Sequence, residues 1–102
     1  MRPKRLRNRV YQQESAETLA IQALAWLLAQ DDLVGAFLNA TGADTRQMAV
    51  LAGDPGFLGG VLDFLMEDDA RVMAFCDTIS LPYTAPMQAR TALPGGQHWH
   101  WT

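Results

Sequence analysis

Histidine is missing from almost the whole chain; both copies, His98 and His100, fall at its end. Histidine is the usual general base near neutral pH. No Ser-His or Cys-His nucleophile pair is therefore expected within the body of the chain. Cysteine is as scarce. Cys76 stands alone, so no disulfide can form within the chain, and nothing points to a secreted scaffold. On its apolar segment beside Phe75, it reads as a small buried hydrophobe rather than a reactive thiol. A phosphate loop is missing too. Gly53-Asp54-Pro55-Gly56 has glycines but lacks the lysine such a loop needs.

Long apolar runs are absent. The longest candidate, Leu19 to Ala29, is broken by Gln22 and is far shorter than a membrane span. Basic residues precede it, as in a signal peptide. However, Gln12, Gln13, Glu14, Ser15 and Glu17 intervene, and Asp31-Asp32 follow without a small-x-small cleavage pattern. The expected location is the cytoplasm.

Positive charge is sparse beyond the first residues. Arg2, Lys4, Arg5, Arg7 and Arg9 precede a body with three cations, Arg46, Arg71 and Arg90, against eleven acids. A basic arm leads an acidic body.

What remains is a chain of 102 residues, 49% hydrophobic and 19% charged. Those proportions describe one globular domain, large enough to bury about two-thirds of its unfolded surface. Residues 1–13 read as a basic flexible arm, 14–96 as a single helical domain, and 97–102 as a flexible tail.

No segment alternates with period two for long enough to argue a strand. The expectation is an all-α bundle of five to six short helices. The first runs from a Ser15 cap to Ala29, with Ile21, Leu24, Leu27 and Leu28 on an apolar face that Trp26 widens. Asp31 or Asp32 caps a second, Leu33 to Thr41, stopped by Gly42. Asp44 caps a third, Thr45 to Ala52, with Gln47 placed for a capping box. Met48 and Leu51 face inward on it. Asp54-Pro55 opens a fourth, ending near Met66. Asp68 or Asp69 caps a fifth through Thr78, carrying Val72, Met73, Phe75 and Cys76. Thr84 caps a sixth, Ala85 to Leu93.

Parts of this pattern recur. Leu24-Ala25-Trp26-Leu27-Leu28 returns as Leu62-Asp63-Phe64-Leu65-Met66. Val34-Gly35-Ala36-Phe37-Leu38 returns as Val72-Met73-Ala74-Phe75-Cys76 at the same spacing of 38. One shared spacing suggests two pseudo-repeated three-helix units.

The stretch from Thr18 to Gly96 also resembles a family of small bacterial helical proteins catalogued as domain of unknown function 3572. The resemblance rests on Leu19 through Leu27, Phe37-Leu38, Thr41-Gly42, Asp54-Pro55 with Phe57-Leu58, Val61 through Leu65, Ala74-Phe75-Cys76 and Ala92 through Gly95. These are mainly core and cap positions. The resemblance implies an all-helical cytoplasmic protein and supplies no catalytic residues.

Most carboxylates fall where helix starts want acceptors. Asp63 does not. It lies mid-helix beside Gly56, Gly59 and Gly60, opposite the apolar face. Interior glycines cost a helix about 1 kcal/mol each relative to alanine. Two readings stay open for this set: a place where another helix or another chain approaches, which makes it the candidate partner-binding surface, or drift on a solvated face with Asp63 simply in water. The expected function is a non-catalytic protein-interaction or adaptor module with an unknown partner, including a second copy in a homodimer. The alternative is nucleic-acid binding. There Arg2, Lys4, Arg5, Arg7 and Arg9 would neutralise phosphates, and Arg46 and Gln47 would read from a helix-turn-helix-like segment spanning Phe37 to Leu51. No cofactor, catalytic set or metal site is expected. His98-Trp99-His100-Trp101 offers two ligands in a tail, too few for a firm site.

Overall fold

A computed structural model describes residues 12–94. The arm cations, most of the arm itself and the His-Trp tail lie outside the described residues. Six α-helices and no strand occur among those described. They run α1 (Gln13–Leu28), α2 (Val34–Thr41), α3 (Met48–Leu51), α4 (Pro55–Met66), α5 (Asp69–Ile79) and α6 (Ala85–Thr91). A 3-10 turn, Thr45–Gln47, leads into α3.

α1 begins earlier than its expected serine cap. Nothing between Gln12 and Ser15 disfavours helix, so the turn extends upstream to Gln13 with no side-chain cap. Gln13 Nε2 instead donates to Glu17 Oε2 one turn on, at 2.9 Å. Ala16, Leu19, Ala20, Ala23, Leu24 and Leu27 are buried along one stripe. The three alanines let α4 and α6 approach closely, and these two helices are the principal partners of α1. Ile21 lies off that stripe and is 42% exposed, contrary to expectation. Helical period gives the width of an apolar face. Where the neighbours sit decides which residues of that face are covered.

Asp31 and Asp32 do not cap α2. They sit exposed in a turn, and Leu33 takes the N-cap position with no side-chain hydrogen bond. The backbone closes that turn itself, Val34 N donating to Gln30 O at 2.9 Å. α2 ends as expected, with Gly42 in the left-handed region at φ 72°.

The remaining caps are largely as read from the sequence. Asp44 forms the capping box with Gln47. Asp54 accepts from Gly56 N at 2.9 Å ahead of Pro55. Asp68, not Asp69, caps α5 by accepting from Ala70 N. Thr84 precedes α6 without a side-chain cap bond, and α6 ends at Thr91, short of Leu93.

The core gathers around α1, α4 and α6, with α5 and α2 packed onto it. Phe37 is the buried residue of α2. Its ring meets Phe64 edge-on at 5.3 Å and Phe57 at 6.2 Å, which ties α2 to α4. Trp26 and Phe75 join α1 to α5 at 5.9 Å. Met73 was expected among the inward residues of α5 but is 42% exposed, while Val72, Phe75 and Cys76 are buried.

The recurrence survives at helix ends. α1 and α4 end at Leu28 and Met66, and α2 and α5 end at Thr41 and Ile79, both 38 apart. Gly42 and Ser80, at the same spacing, are the two described residues with positive φ. The starts differ, α1 having 16 residues and α4 having 12. The central packing of α1, α4 and α6 also cuts across the two expected triplets. Shared ends alone do not make two copies of one unit.

Candidate functional site

α4 presents different faces to different neighbours. Leu58, Val61, Leu62 and Leu65 point into the core. Gly59 faces α6 and is buried beneath the guanidinium of Arg90. A Cβ at position 59 would lie 2.9 Å from Arg90 Nη1, so any side chain there would have to displace the guanidinium from its present place. Arg90 Nε donates to Asp63 Oδ1 at 2.8 Å, and Nη2 donates to Oδ2 at 3.2 Å. Its Nη1 donates to Pro94 O at 3.1 Å. This two-pronged pair, with the arginine side chain only 12% exposed, fixes the end of α6 against α4. The charge partner of Asp63 thus lies within the chain, 27 residues on, where no local sequence signal could reveal it.

The opposite flank of that stripe is open. Gly56 and Gly60 line a groove of about 330 Å³ between α4 and the end of α2. Ala40 and Thr41 make one wall, and Phe57 and Phe64 supply apolar surface. Asp63 and Glu67 also line it. The four positions Gly56, Gly60, Asp63 and Glu67 follow helical spacing, so they share one line along α4. Three of the four residues singled out from sequence therefore meet at this groove, while Gly59 serves the α6 contact instead. Gly60 differs from Gly59 in a telling way. A Cβ there would meet nothing within 4 Å, so internal packing does not demand glycine.

Arg71, which the sequence did not mark, braces the groove from behind. Its Nη1 donates to Phe64 O at 2.7 Å, and its guanidinium lies 4.2 Å from the Phe64 ring centroid. Glu67 Oε1 is 3.7 Å from the same Nη1. Arg71 Nε is buried without a hydrogen-bond partner. The bond to Phe64 O and the ring contact hold the guanidinium in that position.

Arg46 and Gln47, named for the nucleic-acid reading, are both engaged in the cap of the Thr45–Gln47 turn. Gln47 Oε1 accepts from Asp44 N at 2.9 Å, and Arg46 Nη2 pairs with Asp44 Oδ2 at 2.7 Å. The Arg46 contact, with the backbone bond beside it, holds the Asp44 carboxyl below its ordinary range. Arg2, Lys4, Arg5, Arg7 and Arg9 lie outside the described residues. Cys76 is buried, and desolvation pushes its thiol above the ordinary value, away from the nucleophilic thiolate. Among the described residues no three His, Cys, Asp or Glu side chains are placed to hold a metal ion. No single described helix is long and apolar enough to cross a membrane.

A family described as "protein of unknown function (DUF3572)" matches residues 13–96. The chain belongs to the DUF3572 family. No curated protein and no solved structure matches it. The DUF3572 match spans every helix described above, so the groove on α4 belongs to the family domain rather than to an appended segment.

Proposed function

We propose that this DUF3572 protein is a non-catalytic protein-interaction module of the cytoplasm, and that the α2–α4 groove receives a basic segment of its partner. Gly60 carries the proposal. A glycine inside a helix costs about 1 kcal/mol relative to alanine. The fold itself gives no reason to accept that cost, because the space beside Gly60 is open. A surface kept clear for an incoming chain accounts for it. The apolar side chains of Phe57 and Phe64 provide burial, and Glu67, 65% exposed, adds a carboxylate that it shares with Arg71.

Electrostatics set the sign of the partner. Arg46, Arg71 and Arg90 each have an acidic or backbone partner within the fold. Among the described residues most of the acids have no cationic partner, although Asp63 and Glu67 at the groove do, so the described surface as a whole attracts cations and repels a phosphate backbone. A homodimer is the version of this reading in which the basic segment comes from a second copy.

Retention on immobilised duplex DNA across a salt series separates this from the nucleic-acid alternative. The interaction-module reading expects negligible retention at physiological salt. Strong retention that falls steeply with salt would overturn it.

A further inference from the structure

The outward face of α5 is left uncovered among the described residues. Val72, Phe75 and Cys76 anchor the helix to the core. Asp69, Ala70, Met73, Ala74, Asp77 and Thr78 are exposed. Helical spacing sorts these six into two adjacent lines, Asp69-Met73-Asp77 and Ala70-Ala74-Thr78. A solvated helix face is normally polar. Here Met73 is 42% exposed between two acids, and the alanines beside it present almost no side chain. Methionine is unbranched and polarizable, so it moulds to an incoming apolar surface. The alanine line lets a second helix lie close to the α5 backbone.

The charges of this face are available. Arg46, Arg71 and Arg90 are engaged with Asp44, Glu67 and Asp63, so no cation of the described residues pairs with Asp69 or Asp77. Asp77 accepts the Tyr83 hydroxyl at 2.8 Å. That bond brings no positive charge, and it places the half-exposed tyrosine at the end of the face. Asp69 and Asp77 are two turns apart, about 12 Å along the helix.

We propose that this face is a second docking surface, taken by an amphipathic helix of another protein. An apolar residue of that helix lies on Met73, and lysine or arginine side chains two turns apart reach Asp69 and Asp77. The face shares no residue with the α2–α4 groove, so either surface stands without the other.

The test titrates isotopically labelled full-length protein with a short synthetic helical peptide carrying lysine, leucine and lysine at one-turn intervals. Amide shifts map the site, and fluorescence anisotropy gives the affinity. The proposal expects shifts on residues 69–78 and at Tyr83. Asp69→Asn with Asp77→Asn should weaken binding about five-fold, while the new asparagine at 77 still accepts from Tyr83. Met73→Gln should weaken it through lost apolar contact. Asp31→Asn with Asp32→Asn removes the same charge from the α1–α2 turn and should change affinity less than about two-fold. Gly60→Leu should leave binding unchanged, because it touches only the groove. No binding would overturn the proposal. Equal loss from the Asp31 and Asp32 pair, or equal binding of a scrambled peptide of the same charge, would overturn it by reducing the attraction to bulk charge. A peptide-free dimer in light scattering that Met73→Gln dissociates would overturn it in favour of a second copy. Peptide-free shifts on α5 when Arg5 and Arg7 become glutamine would overturn it in favour of the chain's own arm.

Discussion

The guanidinium of Arg90 occupies the space that a side chain at Gly59 would need, 2.9 Å from the position of its missing Cβ. The adjacent Gly60 has no such neighbour. Two consecutive glycines in one helix therefore have opposite mutational signs. Gly60→Ala should stabilise the fold by about 0.5–1 kcal/mol through helix propensity alone. Gly59→Ala gains the same propensity but displaces Arg90 from Asp63 and Pro94. It should lower stability by about 1 kcal/mol net. Urea unfolding of the two variants checks this. In an Arg90→Met background the Gly59→Ala penalty should shrink, because a flexible unpaired side chain yields.

Gly42 and Ser80 both end helices in the left-handed region, at φ 72° and 57°. Serine accepts this conformation at a steric cost that glycine avoids. Ser80→Gly should therefore raise stability by about 0.5–1 kcal/mol, and Gly42→Ala should lower it by about 1 kcal/mol. Thermal unfolding of both variants measures the two signs.

Phe37 is the residue through which α2 enters the core, and it is wholly buried against Phe57 and Phe64. Phe37→Ala should cost about 3–5 kcal/mol. That is a large share of the stability of a domain this size, about 5–15 kcal/mol. A loss of cooperative unfolding in circular dichroism is the expected result. Phe37→Leu should keep a cooperative transition at lower temperature.

Tyr83 donates its hydroxyl to Asp77 Oδ1 at 2.8 Å, and this bond is the chief cause that raises its pKa above the ordinary phenol value. The folded state favours the neutral phenol. Its contribution to stability is full below the unfolded pKa and is lost as pH rises through the higher folded one. Phenolate absorbance during alkaline titration should show Tyr83 ionising later than an ordinary tyrosine. Asp77→Ala should move it back, and Tyr83→Phe identifies which of the two tyrosines gives the signal.

Much of the fold was legible because helix boundaries are written locally. Asp44, Asp54 and Asp68 cap helices as their positions imply, and Gly42 stops α2. Ser15, Asp31 and Asp32 misled for one reason. A capping residue signals a start only when the chain before it is extended, and here the backbone is already turning. Ile21 and Met73 misled because period cannot say where neighbours lie. The glycine stripe on α4 was legible as a close approach, but its two sides were not. Arg90 closes one side from 27 residues away, and nothing in the local pattern of either segment encodes that pairing. Arg71 escaped notice for the same reason, since its value lies in reaching Phe64 across the α4–α5 turn.

The docking role of the α2–α4 groove is tested most directly by capture from the native cell with tagged full-length protein, compared across wild type, Gly60→Ala and Gly60→Leu. The account expects the same specific protein with wild type and Gly60→Ala, joined through a basic segment and released by salt. It expects at least a ten-fold loss with Gly60→Leu at unchanged helix content. Equal capture by all three would contradict the account, because a leucine in the groove would then exclude nothing.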